Sequence, residues 1–310
     1  MADGTMLHEF ENFCGNTQLP DDFTAFWQGT QMHCANAPCN MTVSTDMAAG
    51  DTVFSTVRYN GIGTKEITAR YLAPKTAQPR AIVLDFHDAQ RTTRGAFYLA
   101  RYAAIGCSVL APAALPLVAQ GGFSLEGTEK VPQDFLFFQI VEQAFLAAEI
   151  AKKLAPDVPL FVSGEGFGGA LALAVAAFVP QVVKCAVLNP LLADFRTLCA
   201  CGADIGFYAS LRSYFRDSDP LHQTAEALFS NLDYFDTVNF AAQIKGALFC
   251  GTGLLDEISP AKTQYALFHR AKCVKTHAVF QKYGHERINF YENDALNFLL
   301  TPCEQERLIL

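Results

Sequence analysis

The sequence predicts an α/β chain with a doubly wound, mostly parallel sheet and helices on both faces. Three observations lead there. Short apolar runs such as Arg80-Ala81-Ile82-Val83-Leu84-Asp85-Phe86 and Cys107-Ser108-Val109-Leu110-Ala111 have the composition of strands buried on both faces. Segments of helical periodicity separate them, which implies parallel strands joined by crossovers. Finally, Phe161-Val162-Ser163-Gly164-Glu165-Gly166-Phe167-Gly168-Gly169-Ala170 runs from an apolar strand through clustered glycines into an Ala/Leu-rich helix.

Residues 1–50 are expected to form an irregular, partly helical extension packed on the body, and residues 51–310 a single domain. In the extension, Pro20 and two acids open a helix whose Phe23, Phe26 and Trp27 share one face. Val53, Ser55, Val57 and Tyr59 alternate up to Asn60-Gly61, and Ile67, Ala69 and Tyr71 alternate after it, which reads as a hairpin. Next come a strand ending at Phe86, a helix over 94–105, a strand over 107–111 and a long amphipathic helix from Gln133 to Leu154. The strand from Leu160 to Ser163 leads through the glycines to a helix from Gly168 to Phe178, then a strand from Val182 to Leu188. A helical excursion occupies about 194–245. A strand from Ala247 to Gly251, a helix from Pro260 to Ala271, a strand from Lys275 to Phe280 and a closing helix from Glu292 to Leu300 complete the pattern. No internal repeat or Pro/Ser-rich linker divides it.

The formal charge of −8 and a pI near 5.4 argue against nucleic acid as a partner, because phosphate binding needs clustered Lys and Arg. No run of eighteen apolar residues exists, so no membrane span is expected. Met1-Ala2-Asp3-Gly4 is acidic and polar rather than a leader, and the ten cysteines lie scattered in apolar segments. Free thiols in a reducing cytoplasm are therefore expected. Cys199-Ala200-Cys201 lacks a second ligand pair, so no metal site is read there, and no cofactor is expected.

In such sheets ligands sit at the carboxyl ends of the strands. Gly166 follows one strand, Asp256 a later one and His285 the last. Nucleophile, acid, histidine is the chain order of α/β-hydrolases, whose strand–turn–helix elbow is written G-x-S-x-G. Here the outer glycines are Gly164 and Gly168, and the middle position is Gly166. The chemistry requires a histidine to take the nucleophile's proton and an acid to fix the histidine's tautomer. Asp256 also precedes Pro260 and a helix, where a capping role competes. Gly164, Gly166 and Gly169 partly fit a dinucleotide fingerprint. However, the strand lies mid-chain, the acidic Asp194 beyond it is in helical context, and no Lys follows to make a P-loop.

The residues also carry a family likeness. The chain resembles the acetyl xylan esterase and cephalosporin C deacetylase family, carbohydrate esterase family seven, from about residue 13 to residue 300. The likeness is most specific in Asn231-Leu232-Asp233-Tyr234-Phe235-Asp236-Thr237-Val238-Asn239-Phe240-Ala241-Ala242. It recurs in Pro20 to Trp27, in Gly253-Leu254-Leu255-Asp256 with Pro260, and in His285-Glu286. The resemblance implies an α/β-hydrolase fold, action on small acetylated substrates, and assembly as a homo-oligomer. It places the catalytic acid and base on Asp256 and His285, and the nucleophilic serine on Gly166. It also places the oxyanion donors on the amide of Phe167 and that of Asp88 or Ala89.

The chain departs from the family at the site itself. Phe86-His87-Asp88-Ala89-Gln90-Arg91 replaces a stretch with a tyrosine and glycines, and Ala111-Pro112-Ala113-Ala114-Leu115-Pro116-Leu117 replaces a D-x-R-G-Q-G segment. A carboxylate at Asp88 disfavours a developing oxyanion. Glycine cannot form an acyl-enzyme, so loss of the serine-esterase reaction is the expectation. An engineered Ser→Gly trap would have left the rest of the site intact. Two further readings are water activated by His285 beside Glu165, and a non-catalytic protein that binds a carbohydrate or other small molecule.

Overall fold

A computed structural model describes residues 10–63, 66–89, 91–113, 123–125 and 131–302. Met1–Gly4, Gln90 and the stretch from Ala114 to Leu117 lie outside them. The described strands are β1 (Met41–Ala49), β2 (Thr52–Asn60), β3 (Glu66–Pro74), β4 (Ile82–Phe86), β5 (Ser108–Pro112), β6 (Leu160–Glu165), β7 (Val182–Leu188), β8 (Ala247–Gly253) and β9 (Lys275–Phe280). They form one sheet in the order β1-β2-β3-β5-β4-β6-β7-β8-β9. Pairing is antiparallel from β1 through β3 to β5 and parallel from β5 onward. Strand order reverses around β4, so the loops after β4 and β6 lie side by side.

The main α-helices are α1 (Phe23–Asn36), α2 (Ala96–Ala104), α3 (Leu136–Leu154), α4 (Phe167–Phe178), α5 (Phe195–Ala200), α6 (Ala209–Ser213), α7 (Ala225–Leu232), α8 (Thr237–Ala241), α9 (Ala261–Arg270) and α10 (Asn289–Leu300). One core joins α1, α3, α4 and α9 to Ile82, Leu84 and Val162 of the sheet. Leu99 and Tyr102 of α2 and Leu299 of α10 pack with Val83, Val109 and Phe161, whose side chains alternate to the other face. Helices therefore cover both faces, as the alternating pattern predicts.

The N-terminal helix docks by its aromatic stripe. Phe23 and Trp27, one turn apart, are fully buried, and the Trp27 indole donates to the Tyr234 carbonyl at 2.8 Å. Phe26 is half-buried against Trp27, Phe138 and Tyr234. One expectation for this region is corrected. Residues 41–49 are not irregular but form β1, the outer strand, antiparallel to β2. Every residue from Thr42 to Ala49 is exposed, so no buried–exposed alternation marks the strand in the sequence.

The 194–245 excursion is tied down by buried carboxylates. Asp236 accepts the amides of Asp194, Phe195 and Val238 at 3.0, 3.2 and 3.0 Å. Asn239 donates to the carbonyls of Gln18 and Asp233 at 2.7 and 2.9 Å, pinning the N-terminal arm. The segment that carries the family likeness most specifically is thus a structural clamp. Asp194 accepts the amides of Thr197 and Asn16, so it is a helix cap rather than a ribose ligand.

Candidate active site

The turn between β6 and α4 has the geometry of an elbow. Gly166 sits at φ +56°, ψ −121°, a conformation that L-residues rarely adopt. Its amide donates to the Leu188 carbonyl at 2.9 Å, and its own carbonyl accepts from Leu191 at 3.0 Å. The flanking glycines allow close backbone approach. A Cβ on Gly164 would lie 2.2 Å from the Gly168 carbonyl oxygen, and one on Gly168 would lie 2.3 Å from that of Phe86. Two apolar strands and a small-residue helix therefore clasp the turn without slack.

Asp256 and His285 come together as their order along the chain predicts. His285, in the loop after β9, donates from Nδ1 to Oδ2 of Asp256, in the loop after β8, at 2.8 Å. The other Asp256 oxygen accepts the amides of Ile258 and Ser259 at 2.9 and 2.7 Å. That oxygen closes a turn in the loop and does not cap α9, whose N-cap is Pro260 with no side-chain cap bond, while the other oxygen orients the histidine. Asn189, which no motif marks, holds the two loops in register. It donates to the Gly284 carbonyl at 3.0 Å and accepts the Gly253 amide at 2.8 Å.

The group facing this pair is Asp88, from the loop after β4. The amides of Phe167 and Ala89 both converge on its Oδ1, at 3.0 and 2.8 Å. Phe167 and Ala89 are among the residues whose amides the resemblance marks as oxyanion donors, and here both amides are bonded to a side-chain oxygen. Asp88 is instead the acceptor. A Cβ built on Gly166 would stand 2.2 Å from the same oxygen. The Asp88 carboxylate therefore fills the space above Gly166 where a side chain would project. What sequence reasoning missed is that this side chain turns inward; the acidic residue next to the expected donor was the available signal.

His285 Nε2 faces Asp88 Oδ2 at 3.4 Å, an ion-pair contact. Burial alone would lower the histidine pKa. The hydrogen bond to Asp256 and the charges of Asp256 and Asp88 outweigh it and raise the value to about 9. Burial would raise the Asp88 pKa, but His285 and the two amides hold it below its ordinary range. At neutral pH His285 therefore holds its proton and faces the Asp88 carboxylate.

Glu165, beside the elbow, is engaged by arginines. Arg94 reaches its Oε2 at 2.8 Å, with Arg91 at 3.5 Å, and Arg287 stands 3.6 Å from Oε1. Arg94 also pairs with Glu292 of α10 at 2.9 Å. Between the elbow and the His285 loop lies a shallow, solvent-open depression. Beside the amide pair, Phe86, Ala89, Pro112, Ala113, Phe167 and Leu171 line a small apolar hollow. Among the described residues no three potential metal ligands gather, and Cys199 and Cys201 stay unpaired at the end of α5.

A family model described as acetyl xylan esterase matches residues 1–301. The chain is similar to acetyl xylan esterase 1 from Thermoanaerobacterium sp., at 24% identity and a TM-score of 0.85, covering 95% of this chain and 98% of that one. It is similar to the acetyl xylan esterase from Paenibacillus sp. at 23% identity and a TM-score of 0.83, over 94% and 98% of the two chains. More distantly, acylaminoacyl peptidase from Pyrococcus horikoshii shares the fold, with a TM-score of 0.56 at 14% identity over 81% of this chain and 41% of that one.

Proposed function

The chain belongs to the acetyl xylan esterase family, and from that premise we propose that it is an acetyl-ester hydrolase homologue in which the serine-esterase reaction has been lost. Gly166 stands at the nucleophile's place, Asp256 and His285 at those of acid and base, and the amides of Phe167 and Ala89 at that of the oxyanion hole. The observation that carries this reading is the Asp88 carboxylate. It occupies both amides and the volume above Gly166 at once. An ester carbonyl cannot be polarised by donors already bound to an anion. Losing a triad nucleophile alone costs about a million-fold in turnover.

Water activated by His285 is disfavoured by the same contacts. A histidine raised to about 9 already holds its proton at neutral pH. Glu165, the other carboxylate at hand, is bound by arginines. The remaining role for the pocket is to bind a small acetylated or carbohydrate-like ligand. Association of like subunits fits β1, an outer strand exposed along its length. A location in the cytoplasm fits the nine free cysteines among the described residues. Light scattering that shows a monomer would remove the association.

The central test is turnover of p-nitrophenyl acetate by the unmodified protein and by His285→Ala. Both are expected at the solution background. Turnover in the unmodified protein that disappears in His285→Ala would overturn the reading.

A further inference from the structure

With Asp88 in place, the acyl group held by the two amides is the protein's own. Its Oδ1 takes both N–H bonds, while Oδ2 is set against His285 Nε2. We propose that Asp88 is a nucleophile: Oδ2 attacks the saturated carbon of a small alkyl halide or sulfonate ester, and water then hydrolyses the Asp88 alkyl ester. Carboxylates serve as covalent nucleophiles when held ionised and oriented. Here the amides fix the rotation of the carboxylate and leave one defined oxygen for attack. The lowered Asp88 pKa keeps it ionised. The inference goes beyond the lost serine reaction and does not depend on it.

The steps balance. Oδ2 forms a bond to the alkyl carbon as the carbon–halogen bond breaks, and the halide leaves with the electron pair into the depression that Arg91 and His285 line. The new ester is neutral, so His285 loses one of the two negative charges that raise its pKa and releases its proton to solvent. Asp256 keeps its hold on Nδ1, which leaves Nε2 as the base. Nε2 then takes a proton from water as the hydroxyl adds to Cγ of Asp88. Negative charge develops on Oδ1, where the amides of Phe167 and Ala89 already point. Collapse expels the alkoxide, His285 protonates it, and the Asp88 acid so formed passes its proton to His285, which restores the carboxylate and the imidazolium. The sum is alkyl halide plus water giving alcohol, halide and a proton. An apolar wall of Phe86, Pro112, Phe167 and Leu171 shares Phe167 with the amide pair and is the surface against which a short hydrocarbon chain would lie.

Propyl bromide is the probe. The unmodified protein is expected to release bromide above background, and Asp88→Asn to fall to background. His285→Gln is expected to accumulate one propyl ester on the peptide that carries Asp88. Peptide mapping separates this adduct from alkylation of the free cysteines. A single turnover of the unmodified protein in heavy-oxygen water is expected to label the Asp88 carboxyl; this needs no variant to fold. Alkylation confined to cysteines, or label in propanol without label in Asp88, overturns the proposal. Silence toward p-nitrophenyl acetate leaves it standing. Acetate-ester turnover through His285 would refute the lost serine reaction without labelling Asp88, so the two failures are distinguishable.

Discussion

Restoring a serine at the elbow is expected to fail unless Asp88 is removed with it. A Cβ at residue 166 would lie 2.2 Å from Asp88 Oδ1, while ordinary contact begins at 3.4 Å. The carboxylate must therefore retreat by more than an ångström, which breaks both of its amide bonds. Hydrogen bonds to a charged group contribute about 1.5–3 kcal/mol each. A side chain at positive φ adds about 1–3 kcal/mol of strain. Gly166→Ser alone should thus cost on the order of 5 kcal/mol, comparable to the whole stability of a marginal domain. In the double variant Asp88→Gly, Gly166→Ser the clash is gone and both amides are vacant. Removing Asp88 also takes away one of the two acids that raise His285, so its pKa falls toward the range of a general base. The assay is pre-steady-state release of p-nitrophenol from p-nitrophenyl acetate, with mass spectrometry of the acylated protein. The double variant should show a burst of one acetyl group on the introduced serine. Gly166→Ser alone should show none and should unfold at lower urea. A single variant as active as the double, or a folded double variant that stays silent, refutes the reasoning.

Other outcomes follow from the same contacts. The folded pKa of His285 is raised from 6.5 to about 9, so its contribution is complete below pH 6.5 and is lost as pH rises through 9. Urea unfolding should lose on the order of 3 kcal/mol across that window, and His285→Gln should flatten the loss. Asp88, with a lowered pKa, acts in the opposite sense: its share is lost only as pH falls below the ordinary carboxylate range. Trp27→Ala empties a site ringed by Phe138, Phe145, Phe235 and Phe240 and should cost about 3–5 kcal/mol by urea titration. Asn239→Ala releases the arm at Gln18 and should cost about 1–3 kcal/mol, with faster proteolytic nicking near residues 12–18 as the local readout.

The sheet was legible wherever burial left a pattern. The strands Val182–Leu188 and Lys275–Phe280 have the limits the apolar runs predict. The elbow was legible because close approach admits only glycine at Gly164 and Gly168. Asp256 and His285 were legible because the strand order of a parallel sheet constrains where its loops end. Strand β1 was not, since its partners are backbone groups and its side chains meet solvent. The inward turn of Asp88 was not either. A side-chain rotamer chosen by the adjacent Ala89 amide together with an amide and a histidine from distant segments leaves no periodic trace. Nor does the Asn189 bridge, which depends on a backbone at φ +46° placed by tertiary contacts.

The carboxylate seated on the amide pair has a consequence for ligand competition. Asp88 is a tethered occupant, and a tethered group acts at an effective concentration set by its linkage rather than by bulk solution. The tether here is the backbone that also supplies the Ala89 donor. An untethered carboxylate such as acetate must compete against that local concentration to reach the same two N–H groups. Millimolar acetate should therefore leave the melting temperature of the unmodified protein unchanged, and should raise that of Asp88→Gly, whose cradle is open to solution.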